Sequence, residues 1–378
     1  MSDVETAGPA YRGLTWDHPR GYRALEAAAA SVAPAQGLSI AWDRHPLEGF
    51  ESHPIADLAE RYDLIVLDHP HVGEAVAQDC LIPMAQVVGA EALAALETAA
   101  IGPSLASYHY AGAHWALPLD AASQVMAYAP SRIGTPPTTW QAVVDLARRE
   151  PVALSLSGPH AALTFQSIAA SLSSNDRPGD RFVDPETGRE AYEWMAALTG
   201  DATRARIDQN PIALLEALSG GEDLALVPLV YGYVNYAKEG AAFADAPRGR
   251  AGIGSMLGGT GIAVSRRCTV TDELRAHLSW LMGEEAQRRF IPAHDGQPAL
   301  RRAWDDPAVD QEWSGFYAAT RATLEAASLR PRHDGAIAFQ TEASARLREG
   351  LLAHEPAAPV LADIEAAFAR HHIEGTET

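Results

Sequence analysis

Twice in its first seventy residues the chain runs through a strand-like stretch into Asp-His-Pro and then into a helix. The first pass is Tyr11–Thr15, then Trp16-Asp17-His18-Pro19, then an alanine-rich helix predicted over 22–33 and stopped by Pro34. The second is Asp63-Leu-Ile-Val-Leu67, then Asp68-His69-Pro70-His71, then a helix over 72–79. A short, wholly apolar run such as 63–67 marks a parallel strand covered on both faces. Proline holds the residue before it extended, which suits a ligand contact and equally a plain turn. In open α/β sheets ligands bind beyond the carboxyl ends of the strands. The repeated motif therefore brings acids and imidazoles to a sheet edge. A single copy reads equally well as a β–α turn with ordinary helix capping.

The remainder keeps the alternation. A strand is predicted at Leu38–Trp42, helices at 54–61 and 90–107, and a strand at Gln124–Tyr128. A helix to Arg149 follows, capped by Thr138 or Thr139. Pro151–Leu156 reads as a buried strand that ends at Ser157-Gly158-Pro159-His160 and opens a helix to Ser171. After a polar loop at 173–185 come helices at 186–199 and 210–219 and a strand at Leu224–Leu229. A helix is expected to begin in 231–236, and a glycine-rich stretch, Gly252–Gly261, leads into Ile262–Ser265. From Thr271 the chain is mostly helical: 271–283, 284–291, 308–327, 336–352 and 357–371. Such alternation predicts α/β architecture with parallel sheets. The strand-rich segments 11–120 and 124–265 suggest two sheets.

At 378 residues the chain exceeds what one core sustains, so two domains are expected. A formal charge of −20 disfavours nucleic acid and anionic membrane surfaces as partners. No apolar run is long enough to insert into a membrane. Lys238 is the only lysine, which removes most routes to Schiff-base chemistry. Cys80 and Cys268 form no metal-type spacing, and either free thiols or one disulfide fits them. Met1-Ser2-Asp3-Val4-Glu5 has neither a basic n-region nor an apolar h-region, so no secretory signal is expected in the sequence as written.

The order of these pieces resembles the extracellular solute-binding proteins of ABC transporters, in particular the carbohydrate-type family. The likeness runs through Asp63–Leu67, Leu81-Ile82-Pro83-Met84, Trp115-Ala-Leu-Pro118, Pro136-Pro-Thr-Thr-Trp140, the stretch from Leu214 to Pro228, Gly258-Gly-Thr-Gly-Ile-Ala-Val264 and Gly296-Gln-Pro298. The resemblance implies a two-lobed periplasmic-binding-protein-like fold, each lobe a mostly parallel sheet flanked by helices, with a ligand held in the cleft between them. It places 11–120 plus about 261–310 in the first lobe. It places 121–260 and the C-terminal helices of about 311–371 in the second lobe and its bridges. The ends, 1–10 and 372–378, are expected to be flexible.

The candidate ligand-binding residues from the first lobe are Trp16, Asp17, His18, Asp68, His69 and His71. From the second come Ser157, His160 and Tyr231, where the helix start at His160 suits an anionic group. Asp120, Gly259 and Thr260 lie at the inferred crossings. His69-Pro70-His71 with His18 nearby gives three imidazoles, but an HxH in a turn has no fixed metal geometry, and no metal or cofactor is assigned. Dinucleotide loops, P-loops, nucleophile elbows and HExxH are absent from the sequence.

Three functions compete. One is binding of a small polar organic solute, a sugar or a carboxylate, with hinge closure and delivery to an ABC permease. The second is a cytoplasmic enzyme on the same scaffold, with Asp17, His18 and His69 as acid–base groups. The third is a cytoplasmic ligand sensor. The first places the protein in the periplasm or outside the cell; the lack of a visible signal keeps a cytoplasmic location beside it.

Overall fold

The computed structural model describes residues 11–173 and 181–371. Both ends expected to be flexible, 1–10 and 372–378, and residues 174–180 of the polar loop lie outside the described residues.

Three strands, Ile40–His45, Tyr11–Trp16 and Leu64–Leu67, lie side by side and parallel. Parallel neighbours need a crossover, and the helix Pro19–Ala35 supplies the first. Pro34 falls in that helix's last turn rather than ending it. Leu64–Leu67 is buried throughout, as its unbroken apolar run requires. Leu257–Val264 pairs antiparallel with Leu64–Leu67, and the twelve-residue strand Leu117–Tyr128 pairs antiparallel with Leu257–Val264.

The far end of Leu117–Tyr128 carries the second lobe. It pairs with Leu226–Tyr231 and with Ala242–Ala244. Among the described residues seven strands therefore form one hydrogen-bonded sheet, six along a single path with Ala242–Ala244 branching from Leu117–Tyr128, where two separate sheets were expected. The long strand is simply shared by both lobes. It carries one extra residue, Leu119, where the register slips opposite Thr260 and Gly261. An extra residue in one strand kinks the pair, and Gly259 allows it with a φ of +85° and a backbone so close that a Cβ would meet the Asp120 carbonyl at 2.4 Å.

Other expectations shift for local reasons. Val152–Leu156 is buried, but only Val152 bridges to Leu226. The Leu154 amide donates to Thr203 Oγ1 in place of a strand. The helix expected over 90–107 stops at Ala99, shortly before Pro103. The helix expected in 231–236 is a single 3₁₀ turn, Val234–Ala237. Ser314 and Gly315, both at positive φ, split 308–327 into Pro307–Glu312 and Phe316–Glu325.

The helices Ala336–Ala353 and Ala357–His371 pack on His160–Leu172 and Pro185–Leu198, closing a core around Trp140, Phe165, Tyr192, Phe339 and Phe368. A smaller core under the first lobe holds Ile55, Tyr62, Leu67, Tyr108 and Trp115. The segment that leads to Ala336 makes a third crossing: Leu257 donates to the Ser328 carbonyl and Ser328 to that of Ser255. Cys80 and Cys268 are free thiols that pack against different clusters. Burial pushes them up, to about 11 and about 12. No described helix is long and apolar enough to cross a membrane.

Candidate ligand cleft between the lobes

Trp16 ends its strand almost fully buried. Its ring stacks on His18 at 5.3 Å, meets Tyr233 edge-on at 5.8 Å and lies 6.0 Å from Phe50. His18 is extended, as the following proline dictates, and its Nδ1 accepts from the Arg20 amide. Burial, with Arg20 and Arg23 adding to it, lowers His18 to about 3. It is a neutral cap and a stacking surface. Asp17 turns the other way. It is exposed, with Arg44 Nη1 3.4 Å from its carboxylate.

Arg20 opens the first helix and is buried among polar and aromatic groups. Nε and Nη2 grip both carboxylate oxygens of Asp120, at 2.8 and 2.5 Å, and Nη1 donates to the Gly232 carbonyl at 2.8 Å. Burial opposes its charge, and Asp120 more than restores it.

The second Asp-His-Pro divides its labour in the same manner. Asp68 accepts from Arg330 Nη2 at 2.8 Å. His69, fully buried, accepts at Nε2 from the Arg330 amide. His71 is buried, with Nδ1 3.8 Å from Glu74. In the second lobe, Tyr231 donates to the Leu257 carbonyl and His160 stands edge-on to its ring at 5.9 Å. Burial, then Arg330 and Arg348, lowers His160 to about 3. Ser157 is half-buried in the turn before the helix. The amide of Ala162 in that helix start is already donated to Ser344 Oγ, and Arg348 takes the carbonyls of Leu156 and Gly158. The helix start is built into the fold rather than opened to an anion.

The cleft is narrow, with about 40 Å³ of free space, and is lined by Trp16, Arg20, Leu47, Phe50, Asp68, Ala122, Tyr231, Tyr233 and Gly258 to Thr260. Of the predicted residues, Trp16, Asp68, Tyr231, Gly259 and Thr260 face it. Asp120, His18, His69 and His160 are bound to or stacked on lining residues or their ion-pair partners. Asp17, His71 and Ser157 do not line it. Asp17, His18 and His69 point into three environments and assemble no acid–base set. Among the described residues no group of three or more metal-ligating side chains is placed to hold an ion.

Sequence reasoning missed Leu47 and Phe50, which sit three apart on the short helix Leu47–Ser52, a spacing that puts both on one face. Tyr233, buried in the core, and Arg20 line the cleft as well. A larger pocket, about 490 Å³, lies between the Ala90–Ala99 helix and Arg301–Arg302, with Val88, Leu96 and Met282 in its walls, away from these strand ends.

In known proteins, the family model for bacterial extracellular solute-binding proteins matches residues 54–314. No curated protein matches the chain in sequence. Solved structures it resembles include the maltose-bound MalE3 of T. maritima, at 13% identity, TM-score 0.79, covering 95% of this chain and 99% of that one. Another is an ABC transporter solute-binding protein of Agrobacterium radiobacter K84 in complex with ribitol, at 17% identity, TM-score 0.78, covering 96% and 98%. A third is the GacH receptor of Streptomyces glaucescens, at 15% identity, TM-score 0.76, covering 96% and 98%. These likenesses are of fold, the two-lobed one with a ligand cleft between the lobes. The match over most of the chain settles the family: the chain belongs to the bacterial extracellular solute-binding protein family.

Proposed function

We propose that the cleft binds a small, neutral, polyhydroxylated solute and that the protein hands it to an ABC permease. The observation that carries this is charge balance. Both acids at the cleft, Asp68 and Asp120, are neutralised by buried arginines, Arg330 and Arg20. The walls above them are aromatic: Trp16, Phe50, Tyr231 and Tyr233. A charged ligand would enter a site with no spare counter-charge, whereas hydroxyls can share the carboxylate lone pairs and the remaining guanidinium protons. Ring faces pack against C–H surfaces of a sugar or polyol. Structural neighbours were solved with ribitol, α-D-tagatose and maltose.

In this reading the ligand-contacting residues are Trp16, Arg20, Phe50, Asp68, Tyr231, Tyr233 and Thr260. Their supports are His18, His69, Asp120 and His160. The first lobe comprises 11–120 plus about 261–310, and the second 121–260 with the C-terminal helices. The lobes rotate about the three crossings, and the ligand favours closure by contacting both at once. The place of work is the periplasm or the cell exterior. The test is a thermal-shift screen of pentitols, hexitols, monosaccharides and maltose against carboxylates of equal size. A ligand at a hundred times its Kd stabilises by about 2.7 kcal/mol. Stabilisation by carboxylates alone would sink the reading.

A further inference from the structure

Arg20 begins the helix Pro19–Ala35, yet its three bonded nitrogens all reach beyond that helix. Nε and Nη2 hold Asp120 on the first crossing strand. Nη1 holds the Gly232 carbonyl, one residue beyond the second-lobe strand Leu226–Tyr231. The guanidinium also lies 4.7 Å from the Tyr233 ring and 5.4 Å from that of Trp16. Trp16 ends a strand of one lobe and Tyr233 follows a strand of the other.

Asp120 is in register with Thr260, beside the bulge where the crossing strands bend. Arg20 thus grips the bend and one loop beyond it. Rotation of one lobe against the other moves Gly232 and Tyr233 away from the first helix. It must break the Nη1 bond and the cation–π contact together. The same loop is tied a second time: the Val234 amide donates to Gln297 Oε1 at 2.7 Å, and Gln297 Nε2 donates to the Ala121 carbonyl at 3.0 Å.

We infer that Arg20 is an interlobe latch, a positioning residue that biases the cleft towards closure before any ligand arrives. The inference rests on the solute-binding reading above for its purpose, but its geometry stands without a ligand. Apparent affinity scales with the fraction of molecules already in the competent state. The latch therefore raises affinity without the ligand touching its Gly232 bond.

Arg20→Ala would strand the buried Asp120 carboxylate and confound latching with folding. Two other variants separate them. Arg20→Lys keeps the charge beside Asp120, but an ammonium is a point donor and cannot span both carboxylate oxygens and Gly232. Arg20→Met with Asp120→Asn removes the charge pair altogether. The full chain is measured with no ligand added, by small-angle X-ray scattering and by amide hydrogen exchange. Both variants should have a larger radius of gyration than wild type. Exchange at the amides of 232–236 should rise about tenfold or more, while that of Leu64–Leu67 stays unchanged. Variants with wild-type scattering and exchange, whatever their melting temperature, would overturn the latch and leave Arg20 a strut. If the double variant does not fold, Arg20→Lys alone decides. Failure of every polyol to bind would sink the solute reading and leave these readouts untouched.

Discussion

Trp16 lies against Gly21 so closely that a Cβ built on the glycine would stand 2.3 Å from the indole Nε1. The first turn of the helix thus seats the aromatic that floors the cleft. Gly21→Ala pushes the indole off its rotamer towards Phe50 and the ligand space. Overpacking of this kind costs about 1–3 kcal/mol. The expected result is a lower melting temperature, altered tryptophan emission and weaker binding together. Wild-type melting and emission would show that the ring has room to spare.

Phe50 offers a cleaner probe of the ligand. It is half-buried and forms a cleft wall, its ring 6.0 Å from that of Trp16. Phe50→Ala should weaken the tightest neutral ligand by roughly 10- to 100-fold, about 1.4–3 kcal/mol, with little change in melting temperature. Trp16→Ala should lower both. Calorimetric titration of the two variants beside wild type distinguishes wall from floor. Unchanged affinity in Phe50→Ala would remove the Leu47–Ser52 helix from the site.

The strand ends that the sequence singled out border the cleft, but only some of their side chains line it. Apolar runs such as Leu64–Leu67 are legible because burial on both faces leaves no place for polar residues. Side-chain direction is less legible. Neighbours in an extended chain face opposite ways, so with Trp16 turned to the cleft Asp17 faces Arg44. His18 is consumed by its own helix cap. Asp68 and Arg330 are 262 positions apart, and no local pattern announces their pairing. Two lobes were legible, but the continuity of their strands was not, because only Gln124–Tyr128 of the strand Leu117–Tyr128 reads as a strand, with Pro118 and Asp120 interrupting the part before it.

Three buried histidines should make the fold acid-sensitive. Burial is the main cause in each, and it lowers His18 and His160 to about 3 and His277 to about 4. Unfolded, each titrates near 6.5. Between those values the unfolded chain binds more protons than the folded one, so stability falls as pH falls. The contribution is complete above pH 6.5 and is lost towards pH 3–4. By pH 5 each group accounts for up to about 2 kcal/mol. His18→Asn keeps a cap acceptor and removes one titration, so its melting temperature should depend less steeply on pH between 6.5 and 4. An unaltered slope would mean that His18 does not stay neutral there.

Charge balance in the cleft makes a prediction of opposite signs for two ligand classes. Arg330 is almost wholly buried and Asp68, with 15% of its side chain exposed, is its partner at the cleft wall. Asp68→Asn keeps the shape and an acceptor but leaves the guanidinium without its counter-charge. Breaking a buried pair costs about 3–5 kcal/mol, and the partial exposure of Asp68 puts this case near or below the lower end. The stranded positive charge then invites an anion. Neutral polyols should stabilise Asp68→Asn less than wild type, while small carboxylates should stabilise it more, with the gain shrinking as salt is raised. Thermal-shift titrations of both proteins with one polyol and one carboxylate of equal size measure this directly. If the variant gains nothing from carboxylates, Arg330 is screened from the cleft, and the neutrality of the site has another origin than the Asp68–Arg330 pair.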